Sequence, residues 1–158
     1  MSKRVNVTDE MAVIGVVVPR TKGEKNYMRI FAGIVAAIDT AKRLNPELNK
    51  FMFLDDGVGT TQGDLSHVRG GLNVIYGLMI PRGYDLKYRT IKLDIEFYGK
   101  DAQKRWVDEM LTYNPSVILV VDDSFHSHAK YALTKAEERG IETILVKVPK
   151  ADSKNEFK

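Results

Sequence analysis

The run "VILVVDDSFHSH" (117–128) ends five apolar residues in two adjacent carboxylates, Asp122 and Asp123. Ser124, His126 and His128 follow within five residues. Paired carboxylates can ligate Mg²⁺, which is bound by one or two of them plus substrate phosphates, or they can accept hydrogen bonds from ribose hydroxyls. A second polar stretch, "DDGVGTTQGD" (55–64), places Gly57, Gly59 and Gly63 ahead of Asp64. Glycines at that spacing let backbone N–H groups approach a phosphate where a helix begins. A third, "PRTKG" (19–23), offers the guanidinium of Arg20 with Thr21 beside it, a fork suited to phosphate or carboxylate. Tyr98 could stack on a base and Lys100 could meet a phosphate.

Each set also has a plainer reading. Asp123 or Ser124 suits a helix N-cap, Asp64 another, and Gly99 with Asp101 a helix-initiating turn. The His-x-His pair has no convincing third ligand, so a plain surface or hydrogen-bonding role fits it better than a metal site. The chain contains no GxxxxGK[ST] phosphate loop.

The elements that must position these residues read as alternating strands and helices. Apolar runs at 11–19, 50–55, 89–97, 116–121 and 142–148 predict strands. Three- and four-residue apolar spacing predicts helices from Tyr27 to Leu44, from Leu65 to Met79, from Ala102 to Leu111, and from Ala129 to Ala136 with a stop at Gly140. Trp106 falls on an apolar stripe and reads as core. This alternation predicts an α/β fold with a five-stranded parallel sheet and helices on both faces.

The patterning also predicts the strand order. The first and fourth strands are apolar at every position, as strands buried on both faces are. The third alternates apolar with charged residues and the fifth carries Lys147, so both suit edges. The order is then 3-2-1-4-5, a Rossmann-like sheet whose topological switch lies between strands one and four. Ligands of open α/β sheets bind at the carboxyl ends of the strands there. The three polar loops converge on that edge.

The totals bound the rest. The 158 residues suit one domain, with an ordered core over about 11–149 and polar tails at 1–10 and 150–158. A composition 44% hydrophobic and 28% charged is that of a soluble globular chain. The net charge of +3 is small, and nucleic acid is not an expected partner. The absence of cysteine excludes disulfides and cysteine zinc sites. The polar start and the lack of a long apolar run point to a cytoplasmic protein with no membrane partner.

The order of these features resembles the SLOG superfamily of Rossmann-like nucleotide-ligand proteins, most closely its YspA-like group. The resemblance spans most of 12–148. "VVVPRT" is similar to the family's first-strand ending G-S-R, with Arg20 at the arginine and Val18 and Pro19 at the glycine and serine. "DDGVGTTQGDL" is similar to its G-G-x-x-G-x-D-x-L segment, which implies phosphate binding by Gly57, Gly59 and Gly63 near Asp64. "YGKDAQKRWVDEM" matches its later motif at Tyr98, Gly99, Ala102 and Met110. Gln103 and Lys104 replace its Gly-Pro, and Trp106 and Val107 its Arg-Asn. After the fourth strand, Ser127 and His128 stand at the Gly-Thr of its second phosphate loop. The PGGxGTxxE pattern of the hydrolytic members is absent, so that activity does not carry over.

The resemblance implies a nucleotide-derived small-molecule ligand and self-association as a homo-oligomer. Two other readings stand beside sensing or sequestration of such a ligand. One is metal-assisted phosphoester or N-glycosidic hydrolysis by Asp55, Asp56, Asp122, Asp123 and His126. The other is a non-catalytic interaction module.

Overall fold

The computed structural model describes residues 11–18, 27–56, 73, 76–77, 80–92, 99–122 and 127–147. The strands are β1 (Met11–Val17), β2 (Lys50–Asp55), β3 (Asp85–Thr90), β4 (Val117–Asp122) and β5 (Glu142–Lys147). The helices are α1 (Tyr27–Leu44), α2 (Ala102–Leu111) and α3 (Ser127–Glu138), with short 3-10 turns at Ile80–Arg82 and Gly99–Asp101. All four pairings are parallel, and the sheet runs β3-β2-β1-β4-β5. This is the expected Rossmann-like order, and its logic holds. After Met11, β1 is buried at every position, and β4 is buried up to its last residue, as central parallel strands must be.

Side-chain alternation splits the core in two. Ile14, Val16, Phe53, Leu119 and Val146 face α1 through Ile30, Ile34 and Ala37. Val13, Val17, Leu54, Ile118 and Val120 face α2 and α3 through Val107, Met110 and Ala132. Helix α1 leaves β1 yet packs chiefly over β5 and β4. Gly33 permits that seat, since a Cβ there would stand 2.5 Å from Val146 Cγ2 and 3.0 Å from Leu119 Cδ1. Val35, two residues on, is 46% exposed.

Helix ends follow their local chemistry. The Lys42 ammonium, in the last turn of α1, donates to Pro46 O (2.6 Å), Leu48 O (3.0 Å) and Asn49 Oδ1 (3.0 Å). Basic residues favour helix C-termini, and this one also fastens the turn into β2. Gly140 closes α3 with φ 68°.

One boundary differs from expectation. The third strand, expected over 89–97, lies at Asp85–Thr90, where it pairs residue for residue with β2 from Lys50 to Asp55. As an edge strand it buries Leu86 alone. Its pattern is therefore weaker than the alternation just after it, of which 93–97 lie outside the described residues. Of the helix expected from Leu65 to Met79, Asn73, Tyr76 and Gly77 are described, and all three are helical.

Candidate site at the carboxyl edge of the sheet

The pairing registers give this edge its shape. Gly15 pairs with both Leu54 and Ile118, so Asp55 at the end of β2 stands level with Leu119 of β4. Asp122 lies three residues further along, roughly 10 Å at 3.3 Å per residue. Lys147 of β5 is level with Asp122. The edge is thus stepped. β2 and β3 end low, β1 ends between, and β4 with β5 projects as a rim beside the switch point.

The step sorts the carboxylates. Asp55 is 1% exposed and accepts a hydrogen bond from Thr90 Oγ1 at 2.9 Å. Its carbonyl accepts from the Ile91 N–H at 2.8 Å. Ile91 O in turn accepts from Trp106 Nε1 at 2.6 Å, which ties β2, β3 and α2 together. Asp55 is on the α1 face with Phe51 and Phe53, whereas Asp122 is on the α2–α3 face with Ile118 and Val120. With β1 between them, their backbones are also about 10 Å apart across the sheet. The two cannot share one ion. Among the described residues, no group of three or more His, Asp or Glu is placed to hold a metal. Asp122 is half-buried, on the rim.

Two hydrogen bonds brace the switch point. His128, in the first turn of α3, is 5% exposed and has Nε2 3.0 Å from the carbonyl of Val18, the residue just after β1. A carbonyl can only accept, so Nε2 carries the proton. On the other side, Arg29 in the first turn of α1 donates from Nη1 to Lys147 O at 3.0 Å. Of the surface and hydrogen-bonding roles read for the His-x-His pair, His128 takes the second, in a buried position. No motif flagged Arg29 or Thr90, because each acts through a partner over 30 residues away in sequence.

Of the residues read as ligand contacts, Asp122 is described and stands on the rim. The backbone of Lys100 is described, within the 3-10 turn that opens α2. The φ of 58° at Gly99 gives that turn its left-handed entry. Arg20, Thr21, Gly57, Gly59, Gly63, Asp64, Tyr98, Asp123, Ser124 and the Lys100 side chain lie outside the described residues, as does His126.

Among the described residues, no helix is long and apolar enough to cross a membrane. Comparison with known proteins found no family model, no curated protein and no solved structure that matches this chain.

Proposed function

We propose that this chain binds a nucleotide or a nucleotide-derived small molecule at the carboxyl edge of its sheet, as a sensor or a sequestering protein. The observation that carries the reading is the switch point between β1 and β4, the place where open α/β sheets take their ligands. Helices α1, α2 and α3 all begin on this edge, and helix N-termini favour phosphate. The chain leaving β1 carries Arg20 and the chain leaving β2 carries Gly57, Gly59 and Gly63, the residue types that hold phosphate. Asp122 on the rim is the acceptor for ribose. Binding is favoured over turnover because Asp55 is committed to Thr90 and does not converge with Asp122.

The test is thermal-shift screening against mono-, di- and cyclic nucleotides and ADP-ribose derivatives. A ligand at about 100 times its Kd adds ~2.7 kcal/mol, on the order of 5–10 °C for a chain of this length. Arg20→Ala and Asp122→Asn should each reduce that shift. A flat response across the panel removes the reading. So does a shift that both variants leave intact.

A further inference from the structure

The two outer strands of the sheet are unlike. β3 carries Lys87 and Arg89 along its length, the charged guard usual on an edge strand. β5, outermost on the other side among the described residues, has charges only at its ends, Glu142 and Lys147. Between them run Thr143, Ile144, Leu145 and Val146, uncharged and, apart from Leu145, β-branched. Leu145 is 43% exposed. It pairs with Val120 of β4 and so stands on the α2–α3 face, whereas Ile144 and Val146 belong to the α1 face.

A sheet edge offers its row of N–H and C=O groups to another strand, and the strand that fits this edge is β5 of a second copy. A two-fold axis that makes the pair antiparallel stands perpendicular to the sheet and keeps α1 of both copies on one face. Residues that face each other then point to the same side, so even positions meet even and odd meet odd. Centring the pair on Leu145 sets Leu145 against its own copy, Ile144 against Val146, and Thr143 against Lys147. Glu142 of the second copy comes level with the end of β5, on the α1 face. There Arg29 of α1 donates from Nη1 to Lys147 O at 3.0 Å. A guanidinium has five N–H donors, enough to take a carboxylate as well. The dyad repeats that contact, so two leucines meet at the centre and opposite charges meet at each end.

The helices fit the same arrangement. α1 lies over β5 and β4, with Arg29 and Gly33 on its β5 side. Strands are about 4.8 Å apart, so a helix above the gap between β4 and β5 stands about 4.8 Å from the dyad. The two copies of α1 are then about 9.6 Å apart, within the range of about 8–10 Å for packed helices. Ala36, one turn beyond Gly33 on that side, is small enough for the approach.

We infer that β5 is the interface of a two-fold dimer of this chain, in which two five-stranded sheets become one. Sedimentation velocity of the full chain over a dilution series tests this. Wild type should run at twice 17.9 kDa and fall toward the monomer only on dilution. Leu145→Lys sets two ammonium groups against each other at the dyad. It should give a monomer with unchanged circular dichroism, since Leu145 is exposed within one copy. Arg29→Glu and Glu142→Arg should each weaken the dimer about tenfold or more, and the two together should restore it. The chain contains no cysteine, so Leu145→Cys supplies one thiol per copy. Facing Cα atoms in an antiparallel pair are about 4.5–5.5 Å apart, within reach of a disulfide. Mild oxidation should link Leu145→Cys into a covalent dimer and leave Thr134→Cys, exposed on α3, unlinked.

A wild-type chain that stays monomeric at every concentration overturns the inference. So does a dimer that survives Leu145→Lys, a double charge swap that fails to restore the dimer, or a Leu145→Cys chain that oxidation leaves unlinked. None of these outcomes depends on a nucleotide, so the interface and the switch-point reading can fail separately.

Discussion

The seat of α1 decides where its N-terminus meets the sheet's carboxyl edge, and Gly33→Ala tests that seat. Alanine is the better helix former by about 1 kcal/mol, so propensity alone predicts stabilisation. The added Cβ, however, would stand 2.5 Å from Val146 Cγ2 and 3.0 Å from Leu119 Cδ1, where carbons prefer about 3.5–4.0 Å. Val146 is β-branched and 8% exposed, so it yields little by rotation. Overpacking of this kind costs about 1–3 kcal/mol, and stiff neighbours put it in the upper half. The net expectation is a loss of about 1–2 kcal/mol, or a fall in Tm of roughly 2–8 °C. Gly77→Ala is the control. Gly77 is helical and exposed, and a Cβ there meets nothing within 4 Å. It should gain up to about 1 kcal/mol. Thermal melts and urea titration followed by circular dichroism read both. In a Val146→Ala background the Gly33→Ala penalty should shrink by about 1 kcal/mol, the coupling expected of residues in contact. If Gly33→Ala matches Gly77→Ala in sign and size, α1 does not sit against β4 and β5.

Three further outcomes follow from single contacts. Trp106, the sole tryptophan, is 5% exposed. Its emission should be blue-shifted, and Trp106→Phe should cost about 1–3 kcal/mol in urea titration by stranding Ile91 O. His128→Leu should lose about 1–2 kcal/mol by stranding Val18 O, whereas His128→Gln, which keeps an N–H donor, should recover most of it. The Tyr131 hydroxyl donates to Asp108 Oδ1 at 2.8 Å. That hydrogen bond, then burial and the nearby Asp108 and Glu138 charges, raise its pKa above the ordinary value near 10. A raised folded pKa stabilises fully below about pH 10 and is lost as pH climbs through the folded value. Ultraviolet titration should find Tyr131 ionising late, and Asp108→Asn should bring it back toward the ordinary value.

What could be read from the sequence was whatever depends on burial along a strand or helix. All-apolar β1 and β4 announced the centre of the sheet, and the spacing of "AQKRWVDEML" marked α2 and the core position of Trp106. Register and close approach left no such trace. β3 was placed late because Leu86 is its one buried residue, while the alternation just beyond it is the stronger pattern in the sequence. Gly33 looks like a weak point in a helix until Val146 is placed against it. Asp55 and Asp122 read alike as strand-end carboxylates. Only the pairing of Gly15 with Leu54 and Ile118 shows that one stands well below the other.

The same registers explain how the edge holds its shape. α1 leaves β1, but its Arg29 is bonded to the end of β5. α3 leaves β4, but its His128 is bonded to the end of β1. Each helix that departs from a central strand is tied back across the sheet, so the strand ends on both sides of the switch point are fixed to one another. Asp55, Thr90, Ile91 and Trp106 perform the corresponding task on the low side of the step. The step also sets the two carboxylates apart. Asp55 joins strands beneath the step, and Asp122 stands about 10 Å higher, on the rim.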